Sequence, residues 1–299
     1  MTVPWSLEGQ WLKGALHTHT TNSDGRLSAQ EVAELYRRCG YDFVVFTDHG
    51  HVTRPEPSTE SGLVVIEGVE LSVRDASGYT SYHLVAIDLM PDALAQVDRS
   101  TPQAAVDSLR DLGALVYVAH PYWSALRDEH LLSLEGVAGL EVFNAGCEYE
   151  TGHGDSSQHW DMVLARGKLW QAIAVDDAHN YEWDSCGGLT MVRAKERSRE
   201  AILQALREGS FYASAGPVIE NLALADGAIH IACSAAAAIH MIVPQPGRGW
   251  TTHQLCKRPP CHARFTELEI PVPPPGTVFR LEVVDHEGRK AWTNPFVLE

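Results

Sequence analysis

The feature that most constrains this chain is a strand-like run that stops on metal-binding chemistry. Residues 12–16 read as a short strand, and His17-Thr18-His19-Thr20-Thr21-Asn22-Ser23-Asp24-Gly25 follows directly. Residues two apart in an extended segment point to the same side. His17 and His19 therefore aim two imidazoles into one space, as neutral-nitrogen ligands of a metal must be aimed. Asp24 comes in a Ser-Asp-Gly turn that can bend a carboxylate back toward the same point. A lone H-x-H arises by chance in many chains; this one gains weight from the other strand-like runs. The run 42–47 delivers Asp48-His49, 62–69 ends at Glu70, and 114–119 ends in His120-Pro121. The run 139–143 ends at Asn144, 169–175 ends at Asp176-Asp177-Ala178-His179, and 82–89 carries His83 near its beginning.

Helical patterns separate these runs. Ser28 with Glu31 three residues on is a capping box, and Val32, Leu35, Tyr36 and Cys39 form an apolar stripe that Gly40 ends. Further helices are expected over 102–112, 156–167 and 199–208. Strands alternating with helices, with polar residues at the strand ends, describe a parallel β/α barrel or a doubly wound sheet. The barrel is favoured because closure brings many strand ends around one mouth. From about residue 215 the pattern becomes short strands with hardly a helix: a hairpin over 219–234 with an Asp226-Gly227 corner, then runs at 239–243, 263–270, 277–284 and 290–298. The expected architecture is α/β, a barrel over 1–214 followed by a small all-β sandwich over 215–299. Residues 235–238 and 271–275 are expected as sandwich loops. The sandwich is expected to pack on the barrel or to pair subunits into a homo-oligomer.

The chain has 299 residues, 44% hydrophobic and 21% charged, with a net charge of −16. That charge argues against stable nucleic-acid complexes and acidic membrane surfaces. Fifteen histidines is a high count, and they are dispersed rather than gathered in a tag. The six cysteines form no C-x-x-C pair; Cys256 and Cys261, flanking a Pro-Pro, are the two whose spacing invites a disulfide. Reduced thiols are expected all the same, and with neither a signal-peptide pattern nor an apolar run of membrane-spanning length they suit a soluble cytoplasmic protein.

The segments H-T-H-T-T-N-S-D-G, T-D-H, the isolated Glu70, Y-H, H-P and D-D-A-H together resemble the four motifs of the polymerase and histidinol phosphatase (PHP) superfamily, over about residues 12–213. The resemblance implies a distorted seven-stranded barrel holding two or three divalent ions, Zn, Fe or Mn. Carried over by motif, one ion takes His17, His19, Glu70 and Asp177; a second takes Asp24, His49 and His179; a third takes Glu70, His83 and His120, with Glu70 bridging. Some members have a histidine where Asp24 stands, which bears on which metal binds. The stretches at Glu141–Asn144, Thr151-Gly152, His159-Trp160-Asp161, 211–217 and 291–295 are similar to stand-alone bacterial PHP hydrolases with a C-terminal β domain. Those are labelled metal-dependent phosphoesterases and are related to enzymes that cleave the carbamate ester of carbaryl.

Such a trinuclear centre implies hydrolysis by direct water attack, and no G-x-S-x-G nucleophile motif competes with it. Three ions (+6) against Asp24, Glu70, Asp177 and one hydroxide (−4) leave a cationic site, which favours a small anionic phosphoester. His51, two residues past His49, is the candidate proton donor, with a solvated loop histidine as its alternative. Asn144 is a candidate for orienting substrate or water. Arg26, Arg54 and Arg193 are candidates for holding phosphate oxygens, each with a plain surface charge as its alternative. Trp123 and His159 complete the candidate substrate-binding set. Asp48 and Asp176 are expected to support ligands from behind. Aromatic residues in the mouth loops (Tyr122, Trp123, Tyr149, Trp160, Tyr181, Trp183) keep a carbamate, ester or amide substrate in play, and a metal-stabilised interaction module is the non-enzymatic alternative.

Overall fold

The computed structural model describes residues 9–54, 62–245, 249–254 and 265–297. Cys256, Cys261 and His262 lie outside the described residues, as does the side chain of His253. The first nine strands are β1 (Gln10–Ala15), β2 (Phe43–Phe46), β3 (Val64–Arg74), β4 (Ser81–Ile87), β5 (Leu115–Val118), β6 (Gly139–Asn144), β7 (Gln171–Val175), β8 (Leu189–Ala194) and β9 (Phe211–Ser214). Helices α1 (Ala29–Arg38), α2 (Pro102–Asp111), α3 (Asp128–Leu132), α4 (Ala145–Thr151), α5 (Ser157–Ala165) and α6 (Arg199–Glu208) lie between them. The C-terminal strands are β10 (Ile219–Ala225), β11 (Ala228–Ala236), β12 (Ala238–Gln245), β13 (Gly249–Gln254), β14 (Phe265–Pro271), β15 (Val278–Val284), β16 (Lys290–Thr293) and β17 (Phe296–Val297). The result is a mixed α/β barrel-type sheet followed by an antiparallel β region.

The sheet runs β9-β8-β1-β2-β3-β4-β5-β6-β7. β1–β2, β2–β3, β5–β6 and β6–β7 pair in parallel. The β2 sequence Phe-Val-Val-Phe is buried at every position, as a parallel strand covered on both faces requires. Phe43 and Val45 join an apolar cluster with Leu12, Ile66, Val85 and Ile173, while Val44 and Phe46 pack with α1 through Val32 and Tyr36. The terminal strand β7 is tied back to β8 by one side chain: the Thr190 hydroxyl accepts from Ala174 N (3.3 Å) and donates to Ala174 O (3.0 Å).

The expectation of a wholly parallel barrel is corrected at β4, which is antiparallel to both β3 and β5. The β3–β4 connection is a short turn closed by Asp75 N donating to Thr80 O at 2.9 Å, and a turn of that length cannot make the crossover that parallel pairing needs. β8 is likewise antiparallel to β1 and β9. Nor does β3 stop at Glu70; it continues to Arg74.

The capping box of α1 forms as its sequence indicates, with Ser28 and Glu31 bonded reciprocally. The short helices α3 and α4 were not legible in the periodicity. The hairpin β10–β11 turns at Asp226-Gly227, both at positive φ (52° and 76°), as a two-residue primed turn requires. The expected loop at 235–238 is instead the end of β11 and the start of β12. β16 pairs with β9, so the sheet passes without a break from the barrel into the C-terminal strands, ordered β13-β12-β15-β16 beyond β9. β10, β11 and β14 form a separate three-stranded sheet, and Ile219, Leu222, Ile231, Met241, Leu281 and Val283 fill the space between. Arg280 of β15 is 1% exposed and grips Asp161 of α5 through two bonds (2.7 and 2.9 Å).

Candidate metal centre

β1 ends at Ala15, and the chain stays extended past it, tied to the end of β7 by Asp177 N donating to His17 O (3.1 Å) and His19 N donating to Ala178 O (3.2 Å). Both imidazoles consequently face inward, with their Nε2 atoms 3.0 Å apart. His49 follows β2 and bridges to Glu70 of β3. Because β4 runs backwards, His83 near its start lies opposite Ser72 and reaches the same mouth as the ends of its parallel neighbours. His120 leaves β5, and Asp177 and His179 leave β7.

These side chains form three overlapping groups: His17, His19, Glu70, Asp177; His19, Asp24, His49, His179; and Glu70, His83, His120. Within each group the donor atoms all lie within 4.8 Å of one another. Glu70 divides its oxygens. Oε2 lies 3.2 Å from His17 Nε2, 3.3 Å from His19 Nε2 and 3.0 Å from His49 Nδ1; Oε1 lies 2.8 Å from His83 Nδ1 and 3.3 Å from His120 Nε2. His19 also serves two groups, with Nε2 toward Asp177 (3.0 Å) and Nδ1 toward Asp24 (3.7 Å).

The surroundings set which nitrogens are free to ligate. His17 Nδ1 lies 2.6 Å from the buried Glu141 Oε1, which holds the ring proton there and leaves the Nε2 lone pair facing Glu70 and Asp177. His179 Nδ1 faces Asp177 O at 2.8 Å, turning its Nε2 toward Asp24 at 3.4 Å. Lone pairs and carboxylate oxygens thus crowd one buried space, where only a cation relieves the repulsion. Without a metal, protons fill that need. Burial opposes charge on His17, but Asp177, Glu141 and Glu70 outweigh it and hold its pKa well above the usual imidazole value. His19, likewise opposed by burial but bonded to Asp177 and Glu70, is raised to about 9. Glu70 and Asp177 are held well below the carboxylate range, burial being overcome chiefly by His17. Asp177 Oδ1 is buried and faces the Nε2 atoms of His17 (3.2 Å) and His19 (3.0 Å). The donor set of imidazole nitrogens and carboxylates fits divalent Zn, Fe or Mn.

Behind these residues, Glu141 was missed as a functional residue. Its Oε2 also accepts from His120 N (2.8 Å) and Asn144 Nδ2 (2.9 Å). Asp48 takes bonds from Thr20 N (2.7 Å), Thr20 Oγ1 (2.8 Å), Ser23 Oγ (2.6 Å) and Thr53, pinning the loop that carries Asp24. Asp176 does the same for the last loop, accepting from Tyr36 OH and from the N–H groups of Cys186, Gly187 and Gly188.

A computed cavity of about 470 Å³ opens over the cluster, lined by Asp24, His49, Glu70, His83, His120, Asp177 and His179 together with Arg26, Trp123, Glu150 and Trp183. Cys147 also lines it, but burial, with Asp177 and Glu141 nearby, pushes its thiol far up, which keeps it protonated and inert.

No protein-family model matches the chain. A two-domain protein from Bacteroides vulgatus, described as containing a predicted PHP-like metal-dependent phosphoesterase, superposes with a TM-score of 0.52 at 17% identity, covering 97% of this chain and 95% of that one. The fold is PHP-like. An amidohydrolase from Chromobacterium violaceum superposes on 57% of this chain and 89% of its own at 18% identity, with a TM-score of 0.45. A 90-residue stretch is 28% identical to the DNA polymerase/3'-5' exonuclease PolX of Bacillus subtilis; it spans 29% of this chain and 16% of that protein.

Around the PHP-like barrel the substrate candidates separate. Arg26 and Trp123 line the metal cavity. Four others do not. His51 is exposed and is not among the residues that line the cavity. Arg54 is exposed and pairs with Glu67 at 3.3 Å. Arg193 stacks on Trp11 at 5.5 Å near the start of β1, the end opposite the cluster, because β8 is antiparallel. His159 faces Leu126 O at 2.9 Å, and burial lowers its pKa. Asn144 is fully buried, with its amide shared among Glu141, Asp177 and Cys147 N. Among the described residues no helix is long and apolar enough to cross a membrane.

Proposed function

We propose that this chain is a metal-dependent hydrolase acting on small phosphoesters. One observation carries the reading: Glu70 presents each carboxylate oxygen to a different histidine group, beside a buried Asp177 oxygen that faces the Nε2 atoms of His17 and His19 at 3.2 and 3.0 Å. His17, His19, Glu70 and Asp177 hold one ion, Asp24, His49 and His179 with the second nitrogen of His19 another, and Glu70, His83 and His120 a third. Bound there, the ions supply a nucleophilic water at neutral pH and offset charge on the ester. Glu141 fixes the His17 tautomer, Asn144 steadies Asp177, and Asp48 with Asp176 hold the two ligand loops. Arg26 stands at the cavity rim with its backbone N–H bonded to His179 O (2.8 Å). With the Asn180 amide turned to suit its neighbours, its oxygen accepts from Arg26 Nη1 and Trp183 Nε1, each at 3.0 Å. No carboxylate of the described residues lies within ion-pair distance of Arg26, so its charge is available to an anionic substrate.

A second reading, hydrolysis of a carbamate, carboxyl ester or amide at the same centre, is favoured by one feature. Glu150 places a carboxylate in the cavity wall, which tolerates a neutral ester better than a dianion. We place the catalytic unit at 1–214 and the β unit at 215–299, a division supported by the change from alternating helices and strands to antiparallel strands. The deciding experiment is elemental analysis of protein prepared without chelator, followed by turnover of phosphoesters, carbamates and carboxyl esters side by side. Two to three metal equivalents with phosphoester turnover are expected. Turnover confined to carbamates or esters overturns the first reading in favour of the second, and a metal-free, inactive protein overturns both.

A further inference from the structure

Trp123 borders more than the metal cavity. His83 and Trp123 line it and also line a second computed cavity of about 600 Å³, whose remaining wall includes Tyr79, Ser81, Ser124 and Arg127. Both volumes are in the range of small-molecule sites. The Trp123 ring lies 5.0 Å from the His120 ring and 6.2 Å from the His83 ring, which puts the indole directly beside the Glu70–His83–His120 group. It is nevertheless 44% exposed, and Tyr79 at the tip of the β3–β4 turn is 94% exposed.

The two cavities differ in charge. Asp24, Glu70, Glu150, Asp177 and Asp184 line the metal cavity, whereas no carboxylate of the described residues lines the second. Its polar groups are hydroxyls, the imidazoles of His83 and His130, and the Arg127 guanidinium, which Glu129 holds at 3.0 Å. The other exposed indole of the mouth, Trp183, has its N–H committed to Asn180 and shares its wall with Glu150. Trp123 therefore offers an aromatic face beside both the reacting centre and a space that no carboxylate of the described residues lines.

We propose that the second cavity receives an uncharged planar ring of the substrate, the aryl or nucleobase part of an ester whose reacting group sits in the metal cavity. The proposal rests on the metal-centred reading above and adds the place and chemistry of the group beyond the scissile bond. Stacking on an indole accepts any flat ring, so the site selects for planarity and not for one base.

The test uses metal-loaded full-length protein and two phosphonates that cannot be hydrolysed, benzylphosphonate and methylphosphonate, with binding followed by calorimetry. Wild type should prefer the benzyl compound. Trp123→Ala should lower that preference roughly tenfold, Trp123→Phe should restore most of it, and Tyr79→Ala, at an exposed turn, should lower it a few-fold. Metal content of each variant is measured alongside. An unchanged preference in Trp123→Ala, or equal weakening of both ligands, overturns the proposal and leaves Trp123 as packing for the histidines. If wild type binds both phosphonates equally, the ring site is wrong and the metal reading stands. If it binds neither, the phosphoester reading falls and takes this proposal with it.

Discussion

Glu141→Gln is the most informative single substitution in this protein, because it keeps shape and volume and changes only who holds a proton. Glu141 accepts through both oxygens: Oε1 from His17 Nδ1 at 2.6 Å, Oε2 from His120 N at 2.8 Å and Asn144 Nδ2 at 2.9 Å. In the glutamine variant one of these positions becomes an NH₂. Placed at the Oε2 position, it confronts two buried N–H donors, and each unmade bond costs about 1–3 kcal/mol. Placed at the Oε1 position, it is satisfied as soon as the His17 proton moves from Nδ1 to Nε2, so the variant settles there. The cost then falls on the metal, since Nε2 is the nitrogen that faces Glu70 and Asp177. Ligation requires the proton to return to Nδ1, where it meets the new NH₂. That one unmade bond of about 1–3 kcal/mol corresponds to roughly a 5- to 150-fold loss of metal affinity, overlapping the 10- to 100-fold typical of such supporting carboxylates. The assay is competition for zinc against a fluorescent chelator, with thermal melting to confirm folding and nitrogen NMR of the histidines to read the tautomer. Affinity within twofold of wild type, with Nδ1 still protonated, refutes the reasoning.

Other outcomes follow from the same geometry. His17→Ala combined with His19→Ala removes ligands from two groups and should abolish turnover while lowering the metal count by at least one equivalent; undiminished activity sinks the metal reading. In chelator-treated protein, His19 rises from 6.5 to about 9 on folding, so its stabilising contribution is full below pH 6.5 and is lost as pH climbs through about 9. The melting temperature of the stripped protein should fall across that window more than that of the metal-loaded protein, and parallel pH profiles would count against it. Asp161→Ala leaves the buried Arg280 guanidinium without its bidentate partner and should destabilise the fold by about 3–5 kcal/mol in denaturant titration; a change below about 1 kcal/mol would mean that water reaches Arg280. His51→Ala should change turnover by less than about threefold on any substrate, and a hundredfold loss on poor leaving groups would restore it as proton donor.

What the sequence made legible was the inward edge of the site. His17 and His19 share a side because extended chain alternates, and His49, His120 and Asp177 gather because they leave strands of like direction (β2, β5 and β7) at one end. Direction was not legible, since an antiparallel strand has the same alternation as a parallel one. That is why Arg193, which looked like a strand-end cation, lies on β8 beside Trp11 at the far end, and why His83, at the start of its strand, still arrives at the cluster. The short α3 and α4 offered too few turns for periodicity to register. Glu141 was the costliest omission, and its signal was present: a single carboxylate in the run Gly139–Asn144, every other residue of which is apolar or ends the strand. A charge placed there cannot face water when both neighbouring strands pair in parallel and are covered. A buried carboxylate needs donors, and in a barrel whose mouth is full of histidines the available donor is an imidazole N–H. Such a residue is found by asking which buried charge lacks a partner in its own segment, a question that ligand spacing alone never raises.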